Sequence, residues 1–129
     1  MQAQLDKLGI VAEYSHAEPP SRPFEMSNMR RNPAAEFGCN LSQIKAVVRA
    51  ISDKAERPLF LEDDAVFRPD ASERLTAALA ELPADWDVLY MGGHPRSKVV
   101  RYSANLVKVG TFSCAEAYAI KGSALLSFF

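Results

Sequence analysis

Pro58-Leu59-Phe60-Leu61-Glu62-Asp63-Asp64 is the stretch on which the reading of the fold turns. Its first four residues form a brief, uninterrupted apolar run, the pattern of a strand buried on both faces in a parallel sheet. Three acids follow at once. Beyond Pro69-Asp70, Leu75, Ala78, Leu79 and Leu82 recur at helical spacing, with Asp70 or Ser72 placed to cap the helix and Pro83 to end it. Trp86-Asp87-Val88-Leu89-Tyr90-Met91 then reads as the next buried strand, stopped by Gly92-Gly93. Strand, helix and strand in succession predict an α/β domain with an open mixed sheet and flanking helices.

Upstream, Phe37, Leu41, Ile44, Val47, Val48 and Ile51 give the segment from Ala34 to Ala55 a helical period, as one amphipathic helix or two nearly continuous ones with Gly38 at the break. Residues Gln2 to Leu8 predict a short helix with a glycine stop at Gly9, and Ile10 to Tyr14 a β-prone strand. Glu18 to Pro33 carries four prolines and reads as a long irregular loop, of the kind that borders a site. Within it, Met26, Asn28, Arg30 and Arg31 are candidates to close over a ligand. Downstream, Lys98 to Tyr102 and Leu106 to Val109 predict a hairpin around Ser103-Ala104-Asn105. Cys114 to Ile120 predicts a further strand, and Gly122 to Phe129 the start of a helix.

A chain of 129 residues, 48% hydrophobic and 24% charged, suits one globular domain with a real core. Its formal charge of -1 argues against duplex nucleic acid or anionic lipid as a partner, and the short basic stretches Arg30-Arg31 and Arg96 to Arg101 read as solvated surface. Cys39 and Cys114, with His16 and His94, lack the close pairs of a zinc site, so two buried thiols are expected. The start of the chain has no signal-peptide pattern and no run reaches about 18 apolar residues, which predicts a cytoplasmic protein without a membrane span. The apolar end, Leu125-Leu126-Ser127-Phe128-Phe129, predicts a homodimer that buries Leu125, Phe128 and Phe129, or a piece of a longer protein.

Glu62, Asp63 and Asp64 are the candidate site. In open α/β sheets ligands bind beyond the carboxyl ends of strands, and three adjacent acids there need a cation or protons to balance them. Magnesium or manganese, which prefer oxygen ligands and commonly take one or two carboxylates completed by water and phosphate, would serve. The plainer reading is a solvated acidic loop before a helix.

Three stretches carry a resemblance: Glu36-Phe37-Gly38-Cys39-Asn40-Leu41-Ser42-Gln43, then Pro58 to Ala65, then Leu82-Pro83-Ala84-Asp85-Trp86-Asp87-Val88-Leu89-Tyr90-Met91-Gly92. In order and separation they resemble the family-25 glycosyltransferases, which include lipooligosaccharide and procollagen galactosyltransferases. With the less specific Thr111 to Leu126, the likeness covers about residues 34 to 126. The resemblance implies a GT-A type, Rossmann-like fold that moves a sugar, galactose or glucose, from a nucleotide-diphosphate donor, UDP first, to an acceptor hydroxyl. It implies that Asp64 is the foremost metal ligand, that Glu62 or Asp63 meets the metal or the ribose, and that Gly38, Ser42 and Gln43 lie in a donor-binding motif. Gln43 stands where the family usually has His, which removes a titratable group. Against the family pattern the chain reads as a shortened form, lacking the first strand and much of the C-terminal part.

Gly92-Gly93 would let a backbone approach phosphate or sugar closely, or form a plain turn, and His94 is a candidate on the acceptor side. Glu116 is a candidate base for the acceptor hydroxyl, or a glutamate on the solvent face of the sheet. Cys39, Trp86 and Tyr118 are expected in the core. Two other functions compete with a transferase: a non-catalytic nucleotide-sugar or carbohydrate-binding relative, and a metal-dependent phosphohydrolase, which would need further acids at strand ends.

Overall fold

A computed structural model describes residues 1–16 and 33–128. In chain order the elements are α1 (Gln2–Lys7), α2 (Pro33–Ser52), β1 (Leu59–Leu61), α3 (Ala71–Ala80), β2 (Val88–Pro95), β3 (Val100–Arg101), β4 (Val107–Lys108), β5 (Phe112–Ile120) and a closing 3-10 helix (Gly122–Phe128). They fall into two compact units, Met1–Ala12 with Glu56–Phe129, and Glu13–Ala55.

The larger unit is built on a three-stranded sheet in the order β1-β5-β2, antiparallel throughout, with β3 and β4 as a separate two-stranded ribbon. Antiparallel pairing corrects the expected mixed sheet with parallel, doubly buried strands. Both apolar runs, β1 and β2, are edge strands among the described residues, and the centre belongs to β5. Leu59 is accordingly 40% exposed. Phe60 pairs with Tyr118 and Tyr90 with Tyr118, so three aromatic side chains form a row across one face. Ring centroids lie 5.1 Å apart for Phe60–Tyr118 and 6.2 Å for Tyr90–Tyr118, while Tyr90 stacks on Phe112 at 4.1 Å. Such pairs contribute beyond the area they bury. Leu5, Ala65, Ala117, Tyr118, Ile120, Ala124 and Leu125 are the buried apolar residues of this unit.

α1 ends as expected. Gly9 takes φ +65, its N–H donates to the Asp6 carbonyl at 3.1 Å, and the Ile10 N–H donates to the Leu5 carbonyl at 2.9 Å, the two bonds of a Schellman stop. Ile10 to Tyr14 forms no strand. No described segment pairs with it, and Val11 is 99% exposed, so β propensity alone does not organise it. α3 starts after Asp70, whose carboxylate makes no cap but meets Arg68 at 2.9 Å and Arg74 at 3.7 Å. β2 does not stop at Gly92-Gly93; it runs on to Pro95 through two register shifts. The hairpin and the last strand form as expected, the strand extended back to Phe112, while the final segment is a 3-10 helix. Leu125 is 2% exposed within the chain itself, so it is a core residue and not a dimer contact; Phe129 lies outside the described residues. Trp86 is half-buried.

The smaller unit is α2, a single helix that passes Gly38 without a break. Proline at its first position suits the start of a helix, where the missing N–H has no intrahelical partner. Val47 and Ala50 are buried, while Phe37, Ile44 and Val48 are exposed, so its apolar stripe is only partly covered. Arg49 pairs with Asp53 at 2.7 Å and Glu13 at 3.3 Å. Cys39 and Cys114 are both exposed, against the expectation of buried thiols. The expected loop from Glu18, with Met26, Asn28, Arg30 and Arg31, lies outside the described residues apart from Pro33.

Candidate functional site

Because β1 and β2 both run antiparallel to β5, they run parallel to each other; β1 ends at Leu61, opposite Ala117, while β2 runs on to Pro95, opposite Phe112. Glu62 follows β1 at that point, Gly92 and Gly93 lie in the middle of β2, and the central residue of β5 is Glu116. The Glu62 N–H donates to the Glu116 carbonyl at 2.9 Å, continuing the Leu61–Ala117 register by one residue, so the two glutamates stand opposite each other. Side chains at directly opposed positions of an antiparallel pair have β-carbons roughly 5 Å apart. By strand alternation they share the face that carries Phe60 and Tyr118. On the other side of β5, a β-carbon built on Gly92 would lie 3.5 Å from both Cβ and Oε2 of Glu116, so the Glu116 side chain packs beside that glycine.

The acids leave the sheet on a tight turn. The Ala65 N–H donates to the Glu62 carbonyl at 3.2 Å, which sets Asp63 and Asp64 at the two central positions, both exposed, while Glu62 is half-buried. Ala65 is 6% exposed. Gln4 holds the turn from the side of α1: its Oε1 accepts the Phe67 N–H at 2.8 Å and its Nε2 donates to the Ala65 carbonyl at 3.4 Å. Gln4 is a positioning residue that sequence reasoning missed, since nothing in its local pattern points to a partner more than sixty residues away.

Gly93 takes φ +127, and a β-carbon there would overlap the Cys114 carbonyl oxygen and come within 2.5 Å of Phe112 Cε1. The close backbone approach that requires glycine is therefore to the protein's own β5. Cys114 has φ 52, and three residues of β5, Cys114 to Glu116, lie opposite the single Gly93 between the pairs Gly92–Ala117 and His94–Ser113. This is a bulge, a device that re-aims side chains and is frequent beside active sites. His94 is exposed opposite Ser113, whose hydroxyl accepts from Arg96 Nε at 2.6 Å.

Gly38, Ser42 and Gln43 belong to the smaller unit. Ser42 Oγ donates to the Gly38 carbonyl at 2.8 Å, one turn back along α2, and Gln43 Nε2 lies 3.9 Å from Cys39 Sγ. Among the described residues no group of three or more His, Cys, Asp or Glu side chains is gathered to hold a metal ion. A magnesium-like cation at this turn would take one or two carboxylates, Glu62 and Asp64 by position, and leave its other positions to water and phosphate oxygens, a donor set that suits such an ion. No described helix is long and apolar enough to cross a membrane.

Compared with protein-family models, curated proteins and solved structures, the chain matches none.

Proposed function

We propose that the chain is a metal-dependent glycosyltransferase that takes a nucleotide-diphosphate sugar, UDP-linked first, and transfers the sugar to an acceptor hydroxyl. The observation that supports this reading is the convergence of the acidic turn Glu62-Asp63-Asp64, Glu116 and Gly92 where β1 ends, beside the middle of β5 and β2. That turn lies in Pro58 to Ala65, one of the three stretches that carry the resemblance to family-25 glycosyltransferases. A GT-A nucleotide fold is part of the proposal. The antiparallel ladder supplies no switch point between parallel strands, so the nucleotide site rests on the acidic turn rather than on strand order.

A divalent cation held by Glu62 and Asp64, manganese or magnesium, would neutralise the diphosphate as it leaves. Asp63, exposed on the same turn, meets the ribose in this reading. Glu116, beside Gly92, accepts the proton of the acceptor hydroxyl as that oxygen bonds to the anomeric carbon and the bond from carbon to phosphate oxygen breaks. Gln4 keeps the turn in register with the sheet.

Calorimetric titration of UDP with manganese tests the reading. Asp64→Asn should abolish metal-dependent binding while the protein stays folded, and Asp70→Asn, whose parent carboxylate is engaged by Arg68, should bind as the parent does. Unchanged affinity in Asp64→Asn would reduce the acids to a solvated loop. Binding without nucleotide release from UDP-, GDP- or CMP-sugars would favour the non-catalytic alternative.

A further inference from the structure

The stretch from Val88 to Ala115 contains Arg96, Lys98, Arg101 and Lys108 and no Asp or Glu, within a chain whose net charge is -1. Within this basic stretch the β3–β4 hairpin and α3 border an open cleft of about 470 Å³, lined by Val99, Arg101, Ser103, Leu106 and Val107 and, from α3, by Arg74. That volume is in the range of small-molecule sites. Arg101 donates its Nε to the Ser103 carbonyl at 3.0 Å, which fixes the plane of the guanidinium and leaves both Nη groups without a partner among the described residues. Arg74 is held only by a 3.7 Å approach of its Nη1 to Asp70, whose carboxylate is more closely engaged by Arg68 at 2.9 Å. Glu81, the acid that follows α3 and meets the hairpin, is already occupied: its two oxygens accept the Asn105 N–H at 3.0 Å and the Asn105 side-chain amide at 2.7 Å. Two guanidiniums with donors to spare thus face one cleft whose remaining wall includes Val99, Leu106 and Val107.

We propose that this cleft binds the phosphoryl group of a small phosphorylated molecule, with the oxyanion on Arg74 and Arg101 and the body of the molecule against Val99, Leu106 and Val107. The guanidinium fork matches phosphate oxygens in pairs, which an ammonium does not. Recognition here needs no metal, which separates it from the acidic turn, and it does not depend on the transferase reading.

The test is titration of the whole chain in EDTA with inorganic phosphate and, separately, with a hexose 1-phosphate, followed by the arginine side-chain N–H resonances and by calorimetry. The expected result is saturable binding that shifts the Nε–Hε signals of Arg74 and Arg101, with the hexose phosphate binding more tightly. Affinity should fall about tenfold or more in Arg101→Gln and in Arg74→Gln, the effect of losing a charge-assisted pair. Arg101→Lys should recover only part of it. Lys108→Gln, which removes a cation already seated over the Tyr102 ring at 5.1 Å, should bind as the parent does, and so should Asp64→Asn. Both arginines are exposed, so the variants should fold, and melting curves check this. No saturable shift in millimolar concentrations of either probe, or affinity equal to the parent's in both glutamine variants, would overturn the proposal. So would phosphate binding that requires manganese and is lost in Asp64→Asn, because it would place the anion on the acidic turn instead.

Discussion

Gly93 lies directly against the backbone of Cys114, and the two residues hold positive φ angles of 127 and 52 in paired strands. Neither the torsion nor the space at position 93 admits a side chain. Gly93→Ala should therefore cost about 3 kcal/mol, combining backbone strain with overpacking against Phe112, and chemical denaturation would measure it. Gly9→Ala is the comparison: its φ is +65 but a β-carbon there meets nothing within 4 Å, so only the left-handed penalty of about 1 kcal/mol applies. Equal losses at the two positions would count against the close approach.

Gln4 ties α1 to the turn with two hydrogen bonds. Gln4→Ala leaves the Phe67 N–H without its acceptor and should lower stability by about 1–2 kcal/mol. If the turn is the metal site, the same substitution should also weaken manganese-dependent UDP binding without removing any carboxylate. Stability lost with binding intact would make Gln4 a purely structural tie.

Glu116→Gln separates proton transfer from donor binding. The amide keeps the size and the packing beside Gly92 but cannot accept a proton at neutral pH, so UDP affinity should hold while sugar transfer falls by about 100-fold or more. A fall in affinity with turnover per bound donor unchanged would move Glu116 from base to ligand.

Hydrogen bonds from Ser103 and from the backbone and side chain of Asn105 hold the Glu81 carboxyl below its usual value. A depressed folded pKa means that the ionised form stabilises the fold above the ordinary glutamate range, and that this contribution is lost as pH falls through the lower folded value. Melting temperature should therefore drop more steeply between about pH 5 and pH 3 in the parent than in Glu81→Gln, with the parent more stable at neutral pH. Parallel curves would mean that the contact is open in solution.

What could be read in the sequence was local. Gly9 marks a helix stop because its torsion is a property of one residue, and α3 and the β3–β4 hairpin follow from spacing and turn composition. The direction of pairing was hidden, since Leu59 to Leu61 is equally apolar as a central parallel strand or an antiparallel edge, and only its partner β5 decides. Ile10 to Tyr14 had the propensity of a strand and lacked the partner. Leu125 reads from the sequence as a residue that a second copy buries but lies in the chain's own core, because that too depends on distant contacts. At the candidate site the acids and Glu116 could be named one by one. Their meeting depended on the antiparallel register, and the hold of Gln4 on the turn left no trace in any local pattern.

The same bulge bears on how this chain behaves in company. An edge strand of eight residues is a ready template for another chain, yet β2 is broken by two register shifts, carries two adjacent glycines and ends in Pro95, which offers no N–H. An incoming strand cannot hold register along it, and β1 is only three residues long. An edge broken in this way hinders the molecule from extending its sheet, edge to edge, with its own copies at high concentration.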